Sequence, residues 1–500
     1  MKDFIKKHKL LVICVPVIIL ICVISILGVM AYNRGQEIKS LIREGNRYLA
    51  GADYEQAIAV YRQTLRIDER NIEARMGMAE CYRATGKTEY AVEEYYAVIS
   101  EKPKYPDPYV RLAEIFLSDG ESEKARDIIE DGKNNAKNDE TINELWDMTH
   151  PAAPTVAPEP GSYSERQVVT LSAEGSNRIY YTTDGTDPRE NGLEYDAKLI
   201  LRNGETNIRA VAFNYSGFYS DTAEFNYQID IEDEKIKLDD DIISSIIRDN
   251  IVTPSDKEPD DGSVNNDELA QVTSLYIIGN NYFAVNNDSE LIITDGYCSI
   301  GGRSFQMVQN GYVKSLSDIA NMPYLETLVV ASQKDLDLSD FDPPASLRKL
   351  SLINNNITSA SLKSIAKATS LEELCLGFNM IDDISALSGM TSLKSLGLWG
   401  NKIKDLSPLK SLKSLEYLDF SDNSVSDISV VSEFTMLKEL WMYENKIQKI
   451  SAVSGLDTLE VLMLADNPIS DPESVRAIYP RLKNIDVDLL GLGEKEDSGK

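Results

Sequence analysis

The sequence predicts a multi-domain chain: an N-terminal transmembrane helix, an α-solenoid, an all-β sandwich and an α/β solenoid of short repeats. Three observations predict it. First, an asparagine returns every 22 residues, at Asn379, Asn401, Asn423, Asn445 and Asn467, each behind a frame of the type Leu-x-x-Leu-x-Leu-x-x-Asn. Second, a period of 34 residues aligns Ala57, Ala91 and Ala125, and likewise Tyr61, Tyr95 and Ile129. Third, Leu10 to Met30 runs for 21 residues without a charge. A fixed period of this kind means stacked units, none of which buries its apolar face alone.

The 22-residue frame is a short strand. Leucines two apart point to one face and the residues between them to the other. Asn355 and Gln333 continue the asparagine series upstream, the step from Asn355 to Asn379 being two residues longer. A side-chain amide both donates and accepts, so each asparagine is expected to satisfy backbone groups of neighbouring coils. The second half of each unit, such as Ile381, Ile384, Leu387 and Met390, carries apolar residues three apart, which suits a 3₁₀ turn. Over 325–488 these residues resemble the leucine-rich repeat family, internalin-like subtype. That resemblance implies a bacterial protein and a curved solenoid with a parallel sheet on its concave face.

Composition narrows the function. The formal net charge is −30, which excludes a general nucleic-acid binder, since phosphate needs a basic face. The five cysteines, Cys14, Cys22, Cys81, Cys298 and Cys375, follow no disulfide or zinc spacing. His8 and His150 are the only histidines, so a histidine-based metal site or a Ser-His-Asp triad has almost nothing to work with. No catalytic, cofactor or metal residue is expected.

Residues 1–9 are lysine-rich and read as a cytoplasmic tail. Residues 10–31 read as a transmembrane helix, about 31 Å long against a hydrocarbon core of about 30 Å. The rival reading is a cleaved signal peptide, whose apolar core is typically about 7–15 residues. The anchor reading makes this a single-pass protein of the cell membrane with the bulk of the chain extracytoplasmic. Residues 40–133 hold the 34-residue period, within a domain read over 40–148. Gly45, Ala79 and Ala113 align where two helices cross closely, and Asp53-Tyr54-Glu55-Gln56-Ala57-Ile58 opens a second helix. This segment resembles the tetratricopeptide repeat family. Whether it binds or only spaces is open. Gly86-Lys87-Thr88 imitates the tail of a phosphate-binding loop, but Cys81 stands where that loop needs glycine.

Pro151, Pro154, Pro158 and Pro160 mark a linker over 149–160. Over 161–229, short strand patterns alternate with turn signals, the sharpest being Tyr180-Tyr181-Thr182-Thr183-Asp184-Gly185-Thr186-Asp187-Pro188. This resembles the C-terminal domain of chitobiase-type proteins, a fibronectin type III-like sandwich. The resemblance implies an accessory module; Tyr180, Tyr181 and Tyr195 could meet an envelope glycan or pack within the strands. Asp184 and Asp187 are turn formers rather than a calcium site, which wants six to eight oxygens. Residues 230–280 read as an acidic segment and an N-terminal cap of the repeats. From Asp230 to Glu268 there are 14 acidic residues against 4 basic ones. Residues 281–324 read as an inserted hairpin, with strands at 291–294 and 305–308, and 489–500 as a polar tail.

The concave sheet is where a function can sit. Its outward positions include Ile353, Trp399, Tyr417, Trp441, Tyr443 and Met463, of the kind protein interfaces enrich. These six are the candidate partner-binding residues. The expected function is non-catalytic: a membrane-anchored, extracytoplasmic binding or scaffold protein whose concave face recognises a protein ligand. The alternatives are a carbohydrate or peptidoglycan binder acting through the β-sandwich and, least supported, an enzyme.

Overall fold

A computed structural model describes residues 9–176, 178–251, 263–286, 291–294, 297–300 and 302–487, with the side chains of 9–19 and 293–294 left aside. The chain divides into two compact units, Met1–Ile229 and Asp230–Lys500. Residues 1–8 of the cytoplasmic-tail reading, part of the acidic segment and the polar tail lie outside the described residues.

The first unit opens with one helix, Lys9–Ala50. Here the sequence reading is corrected. Among the described residues no helix is long and apolar enough to cross a membrane, so the transmembrane helix and the single-pass membrane location do not stand. The apolar run ends at Met30. Beyond it the same helix carries Arg34, Glu37, Lys39, Arg43, Glu44 and Arg47 and packs Ile42 into the helical core.

Six further helices follow, from Tyr54–Ile67 to Glu140–Thr149, as antiparallel pairs. Their crossings explain the 34-residue period. Ala57, Ala79, Ala91, Ala113 and Ala125 are all 0% exposed, as are Tyr61 and Tyr95, because a small residue on one helix admits a ring from the next. Gly45 and Gly77 both face the Tyr61 ring, and a Cβ at either would run into it. The Tyr61 hydroxyl donates to Asn46 Oδ1 at 2.7 Å, so the ring is held at its tip as well. Gly77→Ala is therefore expected to cost about 1–3 kcal/mol by forcing the ring aside. Chemical denaturation of the full chain reads it, and an unchanged midpoint would mean that the ring moves freely.

The helices lead into a two-sheet β sandwich. One sheet orders Gly161–Tyr163, Ala223–Ile229, Gly204–Phe213, Arg178–Thr182 and Leu193–Glu194; the other orders Thr155–Ala157, Val168–Ser172 and Leu199–Ile200. Part of the proline-rich stretch is thus a strand. Asn214 Nδ2 donates to Met148 O at 2.6 Å and Arg126 Nη1 to Tyr219 O at 3.3 Å, which ties the sandwich to the last helices.

The second unit is a solenoid around one ten-stranded sheet. Its order is Tyr282–Val285, Ser274–Ile278, Thr327–Ala331, then seven strands in chain order from Lys349–Ser351 to Asn484–Ile485. All neighbours are parallel except Tyr282–Val285, which runs antiparallel on the outer edge. Inward leucines such as Leu350, Leu374, Leu396, Leu418, Leu440 and Leu462 form a single core. Short 3₁₀ turns, Ser385–Gly389 among them, line the opposite side. The open end is sealed by the helix Asp241–Asn250, which buries Ile243, Ile246 and Ile247. Asp318, itself buried, accepts from the backbone of Asp239 and Asp240 at 2.7 and 2.8 Å and fixes where that helix starts.

The asparagine ladder works as a chain of clips. Each Oδ1 accepts a backbone N–H of the preceding coil: Ile381 to Asn401, Ile403 to Asn423, Val425 to Asn445 and Ile447 to Asn467, at 2.8–3.0 Å. Each Nδ2 donates back to carbonyls of its own and the preceding coil, as Asn401 does to Leu376 and Leu398 at 3.0 and 2.9 Å. The residue before each rung is left-handed: Ser332, Asn354, Phe378, Gly400, Asp422, Glu444 and Asp466 have φ between 50° and 63°.

Candidate functional site

The outward face of the sheet carries three columns, set by the parallel register. One runs Lys349, Glu373, Ser395, Tyr417, Glu439, Val461; a second runs Ser351, Cys375, Gly397, Asp419, Trp441, Met463. The third, just past the strands, holds Ile353, Gly377, Trp399, Ser421, Tyr443 and Ala465. In these columns, neighbouring residues sit about 4.8 Å apart.

The face is not open along its whole length. Leu291–Thr294, Tyr297–Ile300 and Arg303–Gln306 form a three-stranded antiparallel sheet rather than a hairpin, the last strand beginning two residues before the expected position. From it, Cys298 and Ile300 are buried and Leu291 and Phe305 pack beside them, against Tyr276, Ile278, Val329, Ala331 and Ile353 of the main sheet. These are the outward residues of the first strands, so a second small core stands on the outward face of the sheet. Ile353 is 1% exposed within it and is no part of an accessible surface, which corrects that candidate. A clasp holds the end of the insertion: Gln309 Nε2 donates to Asn356 Oδ1 at 2.8 Å, Asn356 Nδ2 to Gln309 Oε1 at 3.0 Å, and Asn354 Nδ2 to Met307 O at 3.1 Å.

Trp399 lies at the edge of this second core, half-buried. Its indole covers Gly377 and Gly397, where any Cβ would collide with the ring. The two glycines therefore form a floor for the indole. Phe378, partly exposed, meets it edge-on with centroids 6.4 Å apart. Tyr417, Trp441 and Tyr443 are half-buried, and Met463 is buried at 6% exposure.

Between Trp399 and Trp441 sits a residue absent from the expected set, Asp419. It is 6% exposed. Its Oδ1 accepts from Ser421 N–H at 2.9 Å, and its Oδ2 has the Tyr417 hydroxyl at 3.4 Å. Burial pushes its carboxyl up to about 6, only partly offset by the Ser421 and Tyr417 hydrogen bonds. The same burial raises the Tyr417 hydroxyl and holds the Cys375 thiol up at about 12, so that thiol is an inert packing group. No lysine or arginine stands on the face between 395 and 399, 417 and 421, 439 and 443, or 461 and 465; its charges there are Asp419 and Glu439. One rim, by contrast, is neutralised by a ladder of exposed pairs: Lys394 with Glu372, Lys438 with Glu416 and Lys483 with Glu460, at 2.5–2.8 Å. Exposed pairs of this sort add little stability.

Elsewhere the groups singled out in the sequence have local roles. Asp184 Oδ1 accepts from Thr186 N–H at 3.0 Å, and Asp187 Oδ1 from Arg189 N–H at 2.9 Å, so both carboxylates close turns. Tyr181 packs against Tyr195 and Tyr180 against Tyr219, each pair about 6.2 Å between centroids. His150 stacks on Trp146 at 3.7 Å. A cavity of about 1010 Å³ near Lys104 and Asn138 gathers charges of both signs without a convergent donor set. Among the described residues no group of three or more His, Cys, Asp or Glu could hold a metal ion.

Comparison with known proteins matches this architecture segment by segment. A tetratricopeptide repeat model matches residues 48–94, and a chitobiase/beta-hexosaminidase C-terminal domain model matches 158–224. Two leucine rich repeat models match 345–403 and 391–433. The chain thus combines these three kinds of module, and the repeat classes among them are typically non-catalytic binding modules. Among solved structures, an internalin C2 from Listeria monocytogenes is 21% identical over 50% of this chain and 93% of its own, with a TM-score of 0.39. An internalin inlF from the same organism is 25% identical over 49% of this chain and 74% of its own, at 0.35. A Leptospira interrogans LRR protein is 26% identical over 36% and 48%, at 0.32.

Proposed function

We infer that this protein is a non-catalytic binding or scaffold protein that recognises a polypeptide partner through the part of the concave sheet left open by the insertion. The observation that carries the reading is the run of half-buried aromatic side chains, Tyr417, Trp441 and Tyr443, beyond the second core. The insertion has satisfied the apolar surface of the first strands; the later strands keep theirs in contact with water. Tryptophan and tyrosine in such settings supply most of the binding energy of an interface.

The experiment is paired. The full chain is immobilised, exposed to an extract of its own source cells and compared with Trp441→Ala. The substitution is expected to weaken retention of the captured polypeptide roughly thirty-fold, the equivalent of about 2 kcal/mol for a central aromatic anchor. The thermal midpoint should move little, because the inward neighbours Leu440 and Met442 keep the core filled. A collapse of stability, or retention unchanged, would overturn the reading.

A further inference from the structure

We propose that the open face takes an arginine side chain of the partner, its guanidinium stacked on Trp441 and paired with the Asp419 carboxylate. This rests on the proposed recognition through the same face and names its chemistry. Charge complementarity selects the occupant. The face between Ser395 and Ala465 carries two carboxylates and no cation, on a chain of net charge −30. Asp419 is buried with no basic partner, and the Tyr417 hydroxyl stands at a long 3.4 Å from its Oδ2. Two residues on, the fully buried Ser421 hydroxyl lies beside the same carboxylate. A carboxylate removed from water without a counter-charge is costly unless something pairs with it. A guanidinium fits better than an ammonium: it is planar, stacks on an indole, and offers a fork of donors to carboxylate and hydroxyl together. Trp441 is the register neighbour of Asp419 and supplies the stacking plane, while Glu439 on the same strand adds a second negative charge.

The titratable groups beside Asp419 are Tyr417 and Cys375, with Glu439 bearing on Tyr417. The first two stay protonated across the physiological range, since burial raises both. Acid should therefore weaken cation binding chiefly through Asp419.

The probes are labelled, end-capped Gly-Arg-Gly-Arg-Gly and Gly-Glu-Gly-Glu-Gly peptides, titrated with the full chain and read by fluorescence anisotropy. The arginine peptide should bind and the glutamate peptide should not. Asp419→Asn and Trp441→Ala should each weaken binding at least ten-fold. Glu123→Gln, an exposed site in the helical unit that changes net charge equally, should alter it less than two-fold. Binding should also fall between pH 7 and pH 5, and Asp419→Asn should remove that dependence. Absence of arginine-peptide binding, equal loss in Glu123→Gln, or no loss in Asp419→Asn would overturn the proposal. Loss of the cell-extract partner in Trp441→Ala would still stand in any of those cases, so the two readings fail separately.

Discussion

Asn379→Ala is expected to destabilise the repeat unit by about 3–5 kcal/mol, more than the same change at Asn401, where about 1–3 kcal/mol is expected. The difference lies in what each amide touches. Asn379 Oδ1 accepts from two backbone groups, Asn355 N–H and Ile357 N–H, both at 3.0 Å. Its Nδ2 lies 2.8 to 3.1 Å from the carbonyls of Leu352, Leu376 and Gly377. The side chain is 6% exposed, so water cannot replace it after truncation. Asn401 has one accepted bond, from Ile381, and is only half-buried. A stranded buried polar group carries its full desolvation penalty, and Asn379→Ala strands several at once. The test is urea unfolding of both variants at unchanged slope. Equal losses in the two variants would mean that the extra bonds of Asn379 add nothing, and midpoints unchanged from the parent chain would mean that the leucine core alone holds the coils in register.

The ladder was legible in the sequence because it is chemically strict: one residue type, one spacing, one frame. The alternation of the sheet was legible for the same reason. Leu398 and Leu440 point inward and are buried, so Trp399 and Trp441 face the other way. What covers the outward face was not legible. Residues 281–324 have no period, and nothing in Leu291, Cys298, Ile300 or Phe305 taken alone says that they fold back onto Ile353. The left-handed turn before each rung was hidden too. Serine, asparagine, phenylalanine, glycine, aspartate and glutamate all occupy it, because the ladder bonds on either side impose the conformation whatever the side chain. The N-terminal helix misled because an uncharged run was counted by itself. In the fold it belongs to a 42-residue helix whose later turns are charged and packed in the helical unit.

Asp419→Asn is expected to stabilise the protein at neutral pH while weakening the arginine-selective binding at least ten-fold. The reasoning begins with burial. The folded protein holds this carboxyl at about 6, above its ordinary range near 4, because the ionised form is desolvated. A rise of about two units corresponds to roughly 3 kcal/mol, the upper limit of the effect. An acid with a raised folded value binds its proton more tightly when folded. Its contribution to stability is therefore complete below about pH 4 and is lost as pH rises through about 6. At pH 7 the wild-type chain carries an ionised, buried carboxylate without a cation beside it. Asparagine removes that charge, keeps an acceptor for Ser421 N–H, and can still meet the Tyr417 hydroxyl. The variant should be more stable by about 1–3 kcal/mol at pH 7 and nearly equal to wild type at pH 4. Asp318, also buried and raised, is present in both chains and cancels from the comparison. Thermal or urea unfolding at the two pH values reads the difference directly. A group kept only for the fold would give the opposite sign: replacing it would lower the midpoint at pH 7, and the binding role assigned to Asp419 would then lose its energetic basis. Stability given up at one buried charge is what a binding face is expected to carry.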